Sequence, residues 1–162
     1  MNSILVGYDQ TEASDLALER SAEIAQAMGA KLIVTSVAPT SVGGPRSAGP
    51  FDPADSPQRH AEELQHACEL LAARGLEVEC ILAHGDPAHA IVHLAEEHNV
   101  DLIVVGSHEP RLIDRLLHGD VSRAVAHRAH RDVLVVHTHH QPPRGSRRTR
   151  TASAGARPPA SP

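Results

Sequence analysis

The residues with the most chemical potential lie in VVGSHEPRLIDRLLHGDVS, Val104–Ser122. Gly106 and Gly119 bracket twelve residues that follow an apolar run and lead into a helix start. In an α/β chain, a loop placed there can hold a phosphate with backbone N–H groups and a helix N-terminus. The same loop carries Glu109 and Asp120, whose carboxylates repel such a group. The chemistry on offer is therefore anion capture by the backbone, opposed by two side chains.

Other groupings offer less. His89 and His93 are four apart, with Glu96 and Glu97 on the same helical face, a spacing that suits a divalent metal. That face lies opposite Ile91, Leu94 and Ala95, so it reads as a solvated polar surface, and no metal site is assigned. His137 at the end of the last strand, with His139 and His140 after it, is at most part of an adventitious metal site. Thirteen histidines would shift the net charge together near pH 6. Cys68 and Cys80 each fall inside a regular element without metal-ligand spacing, and they read as buried free thiols. No serine sits in a nucleophile elbow, no cysteine pairs with a motif histidine, and no carboxylate pair has an acid/base setting. No catalytic residue is assigned, and the chain reads as a non-enzyme.

Two patterns alternate along the chain and must position these groups. Ser3–Asp9, Lys31–Val37, Leu76–Ala83, Asp101–Gly106 and Asp132–His137 read as strands, several of them unbroken Val/Ile/Leu runs. Between them lie helical patterns. Thr11 is the expected N-cap of the first, Gly29 closes it, and Ala13, Leu16, Ala17, Ile24 and Met28 are its expected apolar face. Ala61, Leu64, Cys68 and Leu71 mark the second helix. Asp86 followed by Pro87 starts a third that runs to about His98, and Asp120–His130 forms the last. Residues 38–57, rich in Gly, Pro and Ser, read as a long loop. Strands alternating with helices imply a doubly wound parallel sheet covered on both faces. Ligands of such sheets sit outside the strand carboxyl ends, where the strand order reverses.

Composition narrows the function classes. The chain of 162 residues is long enough for one domain with a real core. Only 1% of it is aromatic, which argues against stacking on single-stranded nucleic acid. The net charge of −5 is uneven: residues 141–162 carry five Arg and no acid, leaving ten basic and twenty acidic residues before them. An acidic body argues against a nucleic-acid footprint on the folded part. The tail, residues 140–162, lacks Val, Leu, Ile and aromatics and reads as a disordered basic extension, either solubilising or an anchor for an acidic protein partner. No segment approaches the ~20 apolar residues of a membrane span and no signal-peptide pattern is present, so a soluble cytoplasmic protein is expected.

Three ordered blocks carry a resemblance: ILVGYDQTEASDLALERSAEIAQAMGAKLIVTSV, GDPAHAIVHLAEEHNVDLIVVGSH and GDVSRAVAHRAHRDVLVVH. Together they resemble the universal stress protein family over about residues 1–138. The resemblance implies a five-stranded parallel sheet of the adenine-nucleotide α-hydrolase-like type, order 3-2-1-4-5, filling residues 1–139. It also implies a homodimer, often through the last strand, which suits the unguarded apolar run Val133–Val136.

Family members divide into those that bind ATP and those that do not. The binders resemble one another in a loop of Gly, two residues, Gly, nine residues, Gly, then Ser or Thr. Gly106 and Gly119 match the first and third glycines, while Glu109 and Asp120 replace the second glycine and the hydroxyl residue. Pro110 removes an N–H and pushes Glu109 towards extended backbone. A carboxylate about 4 Å from a phosphate charge repels it by roughly 4 kcal/mol at an effective dielectric near 20, on the order of a thousandfold in affinity. The resemblance carries over Asp9 beside the adenosine, Val37 beside adenine, and Gly106, Ser107, Gly119 and Ser122 in the phosphate loop. The reading is a stress-response binding module with ATP affinity weak or lost. The alternatives are a member that binds ATP or AMP through Mg²⁺ or a rearranged loop, and a slow ATP hydrolase.

Overall fold

Buried runs of Val, Ile and Leu become strands because both faces of the sheet they form are covered. The computed structural model describes residues 1–38, 57–107 and 121–138. Its strands are β1 (Ser3–Gly7), β2 (Lys31–Ala38), β3 (Val78–His84), β4 (Leu102–Ser107) and β5 (Asp132–His137). Its helices are α1 (Glu12–Met28), α2 (Pro57–Ala73), α3 (Pro87–Glu97) and α4 (Val121–Arg128). All pairings are parallel, in the order β3-β2-β1-β4-β5. The order reverses between β1 and β4, so the carboxyl ends of those two strands face the ligand position of a doubly wound sheet.

Alternate residues of each central strand go to opposite faces. Ile4, Val6, Leu32 and Val34 pack with Ala17, Ala25, Leu64 and Leu71 under α1 and α2. Leu5, Ile33, Ile103 and Val105 pack with Ile91, Ala95 and Val125 under α3 and α4. The helix boundaries follow local chemistry. The Thr11 side chain accepts from Ser14 N at the start of α1, and Gly29 closes the helix at φ 64°. Asp86 accepts from His89 N, with Pro87 in the first turn of α3.

Two expectations are corrected. Leu16 and Met28 are exposed, at 42% and 54%, not part of the buried face of α1. That face consists of Ala13, Ser14, Ala17, Ser21, Ala22 and Ala25. Small residues were selected there because α1 lies close against the sheet, as the surroundings of Gly106 show below. Secondly, Cys68 and Cys80 are joined in a disulfide rather than left as free thiols. The packing of α2 across β3 brings their Cα atoms to 6.4 Å, within bridging range. Cys68 is buried and Cys80 exposed on the edge strand.

Candidate functional site

At the β1/β4 reversal the described residues enclose a cavity of about 120 Å³. Its walls come from every layer of the fold. β1 supplies Gly7 and the following Tyr8 and Asp9, β2 supplies Thr35 and Val37, and β4 supplies Val105 and Gly106. Ser14 of α1, Pro87 and Ile91 of α3, and Val121 of α4 complete it. Three helices therefore begin at the cavity, each bringing the positive end of its dipole and its first N–H groups. The lining is largely apolar, through Gly7, Val37, Ile91 and Val105, with Thr35 among them, which suits a flat ring, and the mouth beside α1 is polar.

The mouth on the α1 side is a rigid turn. Asp9 Oδ1 accepts from the Thr11 hydroxyl at 2.6 Å and from Thr11 N at 3.2 Å. Ser14 Oγ donates to the Thr11 carbonyl at 3.0 Å and accepts from Asp9 N at 3.3 Å. Gln10, between them, adopts φ 61°, a left-handed conformation uncommon for such a residue. Tyr8 N donates to the Thr35 carbonyl at 2.8 Å, tying the turn to β2. Burial raises the Tyr8 phenol above its ordinary pKa, and the carboxylate of Asp15, then those of Glu63 and Asp9, raise it further. The mouth thus combines helix N-termini with carboxylates, a field that tolerates little added negative charge.

Of the site residues expected from the sequence, Asp9, Val37 and Gly106 are brought together around the cavity. Ser107 ends β4, and Ser122 is buried in the first turn of α4; neither lines the cavity. Gly119, Glu109, Pro110 and Asp120 lie outside the described residues. Gly7 and Tyr8 lie in the turn at the carboxyl end of the first strand without having been assigned as site residues, and sequence reasoning missed Ser14, Thr35, Pro87, Ile91, Val105 and Val121. For Thr35 there was a signal: a hydroxyl inside the apolar run LIVTSV.

A model of the universal stress protein family matches residues 1–137. This chain belongs to that family. It is 34% identical to Universal stress protein Rv1636 of Mycobacterium tuberculosis, over 84% of this chain and 96% of that protein. A solved universal stress protein in complex with cAMP is similar at 31% identity and a TM-score of 0.63, covering 85% of this chain and 98% of that one. The universal stress protein from Archaeoglobus fulgidus in complex with dAMP is similar at 26% identity and a TM-score of 0.61, covering 84% and 98%.

In this family member Gly106 is held by packing. A Cβ added to it would lie 2.5 Å from the Ala13 carbonyl oxygen and 2.7 Å from Ser14 N. Its φ is not positive, so the requirement is space rather than backbone conformation. Asp9 likewise serves the start of α1 through Thr11.

The histidine face of α3 forms a different site. His84, Asp86, His89 and His93 border a shallow cavity of about 380 Å³. The rings of His89 and His93 stack at 6.3 Å between centroids, and His93 Nδ1 lies 3.7 Å from Glu97 Oε2. Among the described residues no group of three His, Cys, Asp or Glu is placed to hold a metal ion.

Proposed function

We propose that this universal stress protein is a regulatory binding module whose cavity takes the base of an adenine nucleotide bearing little charge, AMP or cAMP, in preference to ATP. The observation that carries this reading is the apolar cavity at the β1/β4 reversal, with Gly7, Thr35 and Val37 on its floor and Asp9 at its mouth. Two similar structures hold cAMP and dAMP. Three helix N-termini favour one phosphate, whereas Asp9, Asp15 and the loop carboxylates Glu109 and Asp120 oppose a triphosphate. In this reading Mg²⁺ enters only with the nucleotide.

Calorimetric titration of AMP, cAMP and ATP, with EDTA or with Mg²⁺, tests it. AMP or cAMP should bind at least tenfold more tightly than ATP in EDTA, a difference of about 1.4 kcal/mol, and Mg²⁺ should narrow the gap. ATP binding as tightly in EDTA overturns the charge argument. Silence from all three overturns the nucleotide reading.

The same reading includes a homodimer through β5. Among the described residues that strand pairs with β4 alone, and its Val133–Val136 run is half-buried. An exposed apolar edge favours strand addition by a second copy. The module is assigned to the cytoplasm; among the described residues no helix is long and apolar enough to cross a membrane. The basic segment 140–162 is assigned to an acidic protein partner, matching its five Arg without acid from residue 141 onward.

A further inference from the structure

The buried stretch of β2 from Leu32 to Ser36 contains two hydroxyls with opposite fates. Ser36 faces α2, where its Oγ lies 3.4 Å from His60 Nδ1. Thr35 faces the other side, with Ile33 and Val37, towards Ile91 of α3. It is 0% exposed, and its Oγ1 has no hydrogen-bond partner among the described residues. Among the described residues it is the only buried side-chain polar atom in that condition.

A buried hydroxyl without a partner destabilises a fold, and natural cores satisfy almost all of them. Valine would fill the same volume in a strand without that penalty. The position of Thr35 suggests what occupies its lone pairs. Its neighbour in register on β1 is Gly7, which offers no side chain on that face, and both residues line the cavity. The backbone carbonyl of Thr35 accepts from Tyr8 N, whereas its hydroxyl is unpaired among the described residues.

We propose that the Thr35 hydroxyl, covered in the unliganded fold at the wall of the cavity, becomes a specificity-determining contact when a ligand enters, hydrogen-bonded to the polar edge of a bound purine ring. This rests on the nucleotide reading above. A hydroxyl can donate to a ring nitrogen or accept from an exocyclic amino group. It therefore selects a heteroaromatic ring with a polar edge over an apolar group of the same shape. The selectivity arises because binding an apolar group leaves the hydroxyl unpaired.

The test compares wild type with Thr35→Val and Thr35→Ser, titrated with AMP, 1-deaza-AMP, 7-deaza-AMP and purine riboside monophosphate, alongside thermal unfolding without ligand. Thr35→Val should unfold at a higher temperature than wild type yet bind AMP about five- to tenfold more weakly. Thr35→Ser should retain most of the affinity. One analogue should lose affinity against wild type and lose nothing further against Thr35→Val, which identifies the bonded ring atom. If Thr35→Val binds AMP as wild type does, the contact is refuted while the nucleotide reading stands. If wild type binds neither AMP nor cAMP, the nucleotide reading fails and the contact with it. Should Thr35→Val not fold, the analogue series on wild type and Thr35→Ser decides alone: equal binding of all analogues refutes the contact.

Discussion

Gly106→Ala should destabilise the fold with no ligand present. The new Cβ would stand 2.5 Å from the Ala13 carbonyl oxygen and 2.7 Å from Ser14 N. Ordinary non-bonded approach is about 3.5 Å, so the first turn of α1 must retreat by about 1 Å. That turn cannot retreat freely, because Asp9 holds Thr11 and Thr11 caps Ser14. Overpacking against fixed structure costs about 1–3 kcal/mol. The smaller conformational freedom of alanine in the unfolded chain returns roughly 0.4–1 kcal/mol. Backbone contacts this short put the cost at the upper end of that range, so the net loss should be about 2 kcal/mol, or roughly 4–8 °C in Tm for a domain of this size. Thermal unfolding by circular dichroism without nucleotide measures it. Gly7→Ala is the control: its Cβ meets the flexible Ile91 Cδ1 at 3.0 Å, which can turn aside, so the loss should stay under about 1 kcal/mol. A Gly106→Ala protein that melts within about 1 °C of wild type, or a Gly7→Ala protein equally damaged, would refute the packing account.

Two further outcomes follow from the ion and sulfur contacts. Asp101 accepts backbone hydrogen bonds from Asn2 and Ser3, which hold its carboxyl below the usual carboxylate range. Its stabilisation is therefore present above the ordinary Asp pKa of about 3.9 and lost as pH falls through the lowered value. Asp101→Asn should weaken the fold at neutral pH and flatten the decline of stability below about pH 4; an unchanged acid limb counts against this role. The Cys68–Cys80 bridge spans 12 positions, so reduction should cost about 3 kcal/mol on the chain-entropy model. Cys68→Ser and Cys80→Ser should each match that loss in urea unfolding, and a midpoint indifferent to reductant would mean that the two thiols are free.

The fold was legible because its signals are local. Thr11, Gly29 and Asp86–Pro87 mark helix ends through caps that need only neighbouring residues. The apolar runs mark strands, and β5 falls on the expected Asp132–His137. What was illegible depends on elements far apart in sequence. The buried face of α1 could not be read from hydrophobicity, because the choice is made by room beside Gly106. There alanine and serine fit, while Leu16 and Met28 point outward. The cysteine pairing needed the docking of α2 on β3, and the hydroxyl of Thr35 within an apolar run gained a meaning only when the topology set it beside Gly7.

The same distinction governs how the site can be probed. Asp9 and Gly106 were expected as ligand residues, and both line the cavity. Each is also a structural part: the Asp9 carboxylate holds Thr11, and the bare Cα of Gly106 admits the backbone of α1. A variant at either position can lose nucleotide binding because α1 has shifted, with no direct contact removed. Loss of binding there therefore cannot identify a phosphate or ribose contact unless unliganded stability is unchanged. Thr35 stands in the opposite case. Its side chain satisfies nothing within the described fold, so exchanging the hydroxyl for a methyl group should favour folding and oppose binding. Opposite signs in stability and affinity are what a ligand contact produces and what a packing residue does not. Substitution at Thr35 therefore discriminates where Asp9 and Gly106 do not.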